Sequence, residues 1–163
     1  MPSDNVIPFP QQGVNIGGPI DDASVSLCLY GDDLDPDALT RLLGLAPTHS
    51  PRKGEPRKKP GLPPFPQGAW IHKVERRTGP GAVDLALGCL LDQLPADPAL
   101  WAALAERHEV RLSLSVSFEG WNKGFTLGPR TLQRVAALGV RLDVDLYASD
   151  HYPPELDRIL NHP

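Results

Sequence analysis

Val110-Arg111-Leu112-Ser113-Leu114-Ser115-Val116-Ser117-Phe118 alternates apolar and polar residues without a break. A strand sends successive side chains to opposite faces, so this run predicts a strand with Val110, Leu112, Leu114, Val116 and Phe118 turned to a core. Arg111, Ser113, Ser115 and Ser117 line its other face. Ser24 to Tyr30 has the same period, with Val25, Leu27 and Leu29 inward. Two such strands call for a one-sided sheet, with helices on one face and polar side chains on the other. The outward reading of Val140 to Tyr147 gives Arg141, Asp143, Asp145 and Tyr147, and its inward reading gives Leu142, Val144 and Leu146. Ala69 to Glu75 supplies a further strand.

Helices fill the intervals. Asp35-Pro36 opens one that runs to about Leu43 and stops at Gly44. Residues 82–94 carry Val83, Leu87, Leu90, Leu91 and Leu94 at helical spacing. Asp97-Pro98 opens a helix to about His108, and Gly128-Pro129 opens another to about Leu138. Proline suits the first helical position because its missing donor would be unpaired there anyway, and Asp just before it caps the free amides. The fold class is therefore α+β: a ferredoxin-like or variant α/β sandwich with a four-stranded, mainly antiparallel sheet and helices on one face. Residues 34–42 and 127–135 share Leu, Pro, Leu and Arg at matching positions. That echo fits duplicated β-α-β halves, and strand-Pro-helix punctuation alone produces the same matches.

The chain has 163 residues, which suits one domain with a real core. Proline accounts for 19 of them, more than twice the usual roughly 5%. Fourteen sit in residues 1–20, 47–66 and 153–163. This divides the chain into a proline-rich N-terminal arm at 1–20, one α+β domain at 21–152 with a proline-rich basic loop at 47–67, and a C-terminal tail at 153–163. No stretch reaches the roughly 20 apolar residues of a membrane helix. The opening MPSDNVIPFP has neither the basic region nor the apolar run of a secretory signal. Cys28 and Cys89 give no disulfide framework, and two reduced cysteines point to the cytoplasm.

Charge is segregated. Between Pro47 and Arg77 the net charge is +6, in a chain whose total is -4. The total argues against a surface built wholly for nucleic acid or anionic membrane. The basic segment could meet an acidic protein through Arg52, Lys53, Arg57, Lys58 and Lys59. Only Phe65 and Trp70 are near enough to stack on bases, which puts nucleic acid last among the partners.

Several residues invite a catalytic or metal reading. Asp33, Asp35 and Asp37 imitate the start of an EF-hand loop, yet Ala38 stands where its glycine is needed and Gly44 where its closing Glu is needed. Helix capping explains these carboxylates better. Asp143 and Asp145 share one face of a strand and could act as paired acids in a small hydrolase or metal-dependent enzyme. No histidine or third oxygen ligand is tied to them by sequence, and His49, His72, His108, His151 and His162 are scattered. There is no nucleophile elbow, P-loop, zincin motif or dinucleotide turn. No metal, cofactor or catalytic residue is assigned.

The order of motifs is familiar. Gly31-Asp32-Asp33-Leu34-Asp35-Pro36, Leu42-Leu43-Gly44-Leu45, Arg52-Lys53-Gly54 and Trp70 are followed by Phe125-Thr126-Leu127-Gly128-Pro129 and then Leu138-Gly139-Val140 to Tyr147. Over residues 24–147 this resembles the bacterial domain of unknown function 4279 family. The resemblance implies a small cytoplasmic bacterial α+β domain, with an immunity-type binding role in some settings, and it supplies no catalytic residues. The leading expectation is a non-enzymatic module that binds another protein. Its contact residues would be Tyr30, Ser113, Ser115, Asp143, Asp145 and Tyr147 on the polar sheet face, with Arg52, Lys53, Arg57, Lys58, Lys59 and Trp70 around the basic loop. A homodimer closing two sheets face to face is the remaining reading.

Overall fold

The structure, a computed structural model, describes residues 18–120 and 123–148. Five strands and four helices follow one another as β1 (Asp22–Gly31), α1 (Pro36–Leu43), β2 (Gly68–Lys73), β3 (Arg77–Thr78), α2 (Ala82–Leu91), α3 (Pro98–Arg107), β4 (Glu109–Phe118), α4 (Pro129–Leu138) and β5 (Arg141–Ala148). The sheet is open, in the order β2-β1-β4-β5, with the two-residue β3 also paired to β1. Ile20, just ahead of β1, is buried in the core. Most of the two proline-rich arms, 1–20 and 153–163, lies outside the described residues.

Local chemistry sets the helix ends. Asp35 accepts from the amide of Asp37 at 3.1 Å, and Asp97 accepts from that of Ala99 at 2.9 Å. Pro36, Pro98 and Pro129 each begin a helix. Gly44 and Gly139 close α1 and α4 in the left-handed conformation, at φ 67° and 64°, where a residue with a Cβ would be strained.

One core lies between the sheet and the helices. Val25, Leu27 and Leu29 of β1 and Leu112, Leu114 and Val116 of β4 are all fully buried there. The register places them directly opposite one another, Leu27 against Leu112 and Val25 against Leu114. Val83, Leu87 and Leu90 of α2, Trp101 and Leu104 of α3, Leu39 and Leu43 of α1, and Val135 and Leu138 of α4 complete the same cluster. Each buried Leu contributes about 1.5–3 kcal/mol by leaving water, so this face alone fixes the orientation of β1 and β4. Slipping either strand by one residue would turn its serines inward.

Three strand pairings are antiparallel, as expected, but the sheet is mixed. β1 runs antiparallel to β2, β3 and β4, whereas β5 runs parallel to β4. The ferredoxin-like arrangement expected from the sequence therefore differs in detail. β1-α1-β2 returns antiparallel to an immediate neighbour, while β4-α4-β5 makes an unsplit parallel crossover, for which residues 119–140 supply the length. The two halves are not geometrically equivalent.

β5 departs from its sequence reading. Val144 and Leu146 stay 43% and 62% exposed, and only Leu142 is partly covered. The reason is position: β5 is the last strand of the sheet, and α4 packs against α2 and α3. Alternation gives the face of a side chain, but burial also needs a layer over that face.

Candidate functional site

The helix-free face of the sheet is a grid of polar side chains. Strand register puts Cys28, Arg111 and Arg141 in one row across β1, β4 and β5. Ser26, Ser113 and Asp143 form the next, Ser24, Ser115 and Asp145 a third, and Asp22, Ser117 and Tyr147 a fourth. Tyr30 opposes Glu109 at the other end. The sequence-predicted residues Tyr30, Ser113, Ser115, Asp143, Asp145 and Tyr147 thus do share one surface.

Its charges are interlocked. Arg111 Nη1 donates to Asp143 Oδ2 at 3.1 Å, and Arg141 Nε lies 2.8 Å from Asp143 Oδ1. Arg141 also donates to Glu109 Oε1 at 2.9 Å. Arg111 then reaches along the face to β1, where its guanidinium carbon lies 5.0 Å from the centre of the Tyr30 ring. Its Nε is buried and finds no acceptor among the described residues. The result is a chain Glu109–Arg141–Asp143–Arg111–Tyr30 held on rigid strands, with hydroxyl groups beside it that both donate and accept.

Titration follows from this packing. Burial pushes the Cys28 thiol above its ordinary value, against the pull of the Tyr30 hydroxyl and Arg111. Burial likewise raises the Tyr30 phenol, opposed by the hydrogen bond from Arg111. The bond to Tyr30 holds Arg111 charged, and the bond to Asp143 does the same for Arg141. A thiol with a raised pKa is a poor nucleophile. Both oxygens of Asp143 are engaged by arginines, while Asp145 enters no ion pair among the described residues. No group of three metal-ligating side chains converges among the described residues.

The basic loop is anchored at the opposite edge. Thr48, His49 and Pro51 hydrogen-bond along β2, the amide of Ala69 donating to the Pro51 carbonyl at 2.9 Å. Gly54 and Phe65 close the loop on itself, with Gly54 N donating to Phe65 O at 2.8 Å and Phe65 N to Glu55 O at 3.0 Å. Its first cations turn inward. Arg52 donates to Asp37 at 2.7 Å and lies 3.5 Å from Asp35, and Lys53 pairs with Asp32. The carboxylates that imitate a calcium loop thus cap α1 and receive the loop's cations, and Asp35 is held below the ordinary carboxylate range chiefly by the Asp37 amide. Arg57 lies over Phe65, 4.7 Å from the ring centre, while Lys58 and Lys59 make no ion pair among the described residues.

Trp70 corrects the expectation placed on it. The register sets it opposite Leu29 on the core face, where it is fully buried and donates its indole N–H to Thr40 Oγ1 at 3.1 Å. It holds α1 on the sheet and reaches no partner. The loop and the sheet face meet at one point, since Pro51, Ala69, Tyr30 and Glu109 run in sequence across the strands. Lys58 and Lys59 are otherwise separated from Asp143 and Asp145 by the width of the sheet.

One feature lay outside the sequence reading. A cleft of about 220 Å³ opens between α1 and α3, lined by Leu39, Leu42, Leu100, Leu104, Arg107 and His108. Burial, with the Arg107 charge, pushes the His108 imidazole below its ordinary value. No sequence spacing links these two helices.

No helix among the described residues is long and apolar enough to cross a membrane. Comparison with curated proteins gives no match, and comparison with solved structures gives none. The family model described as "Domain of unknown function (DUF4279)" matches residues 21–149, from the start of β1 to just past the end of β5. That span contains the whole sheet and all four helices, and on it the chain belongs to the DUF4279 family.

Proposed function

We propose that this chain is a non-enzymatic, cytoplasmic protein-binding module of the immunity type. Its contact surface is the polar sheet face, continued past Pro51 by the basic loop. The observation that carries the reading is the chain Glu109–Arg141–Asp143–Arg111–Tyr30, laid over the strands on a face that none of the described helices covers. Fixed, alternating charges flanked by hydroxyls recognise a complementary polar surface without paying to order long side chains. Lys58 and Lys59, which no described residue neutralises, add positive charge at one margin, which suits an acidic partner. The immunity-type part of the reading follows the family resemblance.

The test compares partners retained by a tagged full-length chain in its native cells with those retained by two variants. One carries Arg57→Glu, Lys58→Glu and Lys59→Glu; the other carries Ser113→Arg and Ser115→Arg. Loss of the same protein from both, with wild-type capture weakened by high salt, supports the proposal. Capture unchanged by either variant at low and high salt removes both surfaces from it, and capture abolished by nuclease replaces the protein partner with nucleic acid.

A further inference from the structure

The outer edge of β5 presents an unpaired row of backbone donors and acceptors, since no strand among the described residues lies beside it. Edge strands are ordinarily blunted by charged side chains, by proline, by a bulge or by a covering segment. Arg141 to Ala148 contains neither proline nor lysine and pairs with β4 in unbroken register over all eight residues. Its helix-side face offers Val144 and Leu146 to solvent. Its charges, Arg141, Asp143 and Asp145, all stand on the polar face, so their signs decide what can pair with this edge.

We infer that two copies of this chain pair antiparallel through β5, joining their sheets into one continuous sheet about a two-fold axis centred on Asp143. Charge complementarity selects both the partner and the register. Antiparallel pairing about a two-fold normal to the sheet keeps each face continuous and sets residues of like face opposite one another. Centring on Val144 would oppose Asp143 to Asp145 of the second copy twice over, a like-charge arrangement that disfavours pairing. Centring on Asp145 sets two Asp145 carboxylates against each other and gives Arg141 no carboxylate opposite it. Centring on Asp143 puts Arg141 opposite Asp145 of the second copy at both ends. Only the Asp143 pair then meets like to like, and each of those carboxylates is already held by Arg111 and Arg141 of its own chain. On the other face Leu142 meets Val144 of the second copy at both ends, so apolar groups cover apolar groups. Asp145, without an ion pair among the described residues, gains one. The dimer leaves the polar sheet face open and does not depend on that face binding a partner.

The test is the mass of the full chain in solution by light scattering, with folding followed by circular dichroism. Twice the chain mass is expected for the wild type. Val144→Lys, which puts a charge on the apolar side of the edge, should give a folded monomer. Asp145→Arg, which sets Arg141 against a second arginine, should weaken the dimer at least tenfold, and Asp145→Asn, which removes only the charge, should weaken it less. If Val144→Lys fails to fold, the two Asp145 variants still decide the matter, because Asp145 is exposed and enters no ion pair among the described residues. A monomeric wild type overturns the inference, including one whose β5 amides resist hydrogen exchange, since the edge would then be covered from within the same chain. A dimer indifferent to these changes also overturns it, in favour of sheets closed face to face.

Discussion

Arg111 reaches over the Tyr30 ring and donates to its hydroxyl at 3.4 Å, while its other terminal nitrogen holds Asp143 at 3.1 Å. One side chain therefore ties β1 to β5 across the full width of β4. Replacing it with Met keeps the aliphatic stem over the sheet and removes both contacts. About 1 kcal/mol of stability should be lost, given the partial exposure of the pair, and the loss should shrink at high salt. Urea unfolding of wild type and Arg111→Met at two ionic strengths measures both quantities.

Gly68 sits where two backbones nearly touch. A Cβ there would lie 2.9 Å from the Gly31 carbonyl oxygen, an atom fixed by the β1–β2 ladder that cannot swing away. Gly68→Ala should cost about 1–3 kcal/mol by overpacking. Gly88→Ala, in α2 with nothing close to the added carbon, should leave stability unchanged or slightly raised. Paired denaturation curves separate the two outcomes.

Trp70 fills the core beneath α1, so Trp70→Ala should cost about 3–5 kcal/mol. Thr40→Val removes the acceptor of the indole N–H while keeping the volume, and should cost about 1–3 kcal/mol through the unpaired donor. Near-ultraviolet circular dichroism and thermal melts report both.

His108 gives the fold a pH dependence whose sign follows from its depressed folded-state value. Between that value and the ordinary 6.5, the unfolded chain binds a proton that the folded chain does not. The contribution is therefore complete above 6.5 and declines as the pH falls through this window. Asp35, also depressed, adds a second decline below 3.8. His108→Gln should flatten the first decline and leave the second, as read from unfolding midpoints across the acid range.

The two thiols should differ in reactivity. Cys28 is buried with its pKa raised, whereas Cys89 is half-exposed beside Arg77 Nη2 at 3.3 Å. Iodoacetamide added to the folded chain should alkylate Cys89 first, with Cys28 reacting only on unfolding. Peptide mass mapping over time shows the order.

Local chemistry was legible in the residues; spatial layering was not. The alternation in 110–118 and 24–30 announced both central strands with their inward residues, and three Xaa-Pro junctions announced three helix starts. Those signals act over a few residues. The two-residue β3 is too short to carry a period, and it exists because Asp22 and Ala23 need partners. Val144 and Leu146 obey the alternation yet stay exposed because coverage depends on where α4 packs. Trp70 illustrates the converse: an aromatic beside a basic loop suggested a surface, and the register with Leu29 put it inside. For the candidate site, Tyr30, Ser113, Ser115, Asp143, Asp145 and Tyr147 were placed together by parity alone. The inward turn of Arg52 and Lys53 toward α1 depends on loop closure, which no pattern in the sequence encodes.

The β1–β4 ladder at the heart of the sheet, where Leu27 meets Leu112, joins residues far apart along the chain. Entropy must be spent closing that long loop before the ladder returns any energy, and contacts of such separation make folding slow. During synthesis β1 and β2 can meet early, but β1 then waits with one side open until residue 118 has left the ribosome. Through that interval its second edge stands unpaired, and the core face of Val25, Leu27 and Leu29 has only α1 and α2 to cover it. The serines on the opposite face keep at least one side of the waiting strand wettable, so the face proposed to bind a partner also tempers aggregation of the nascent chain.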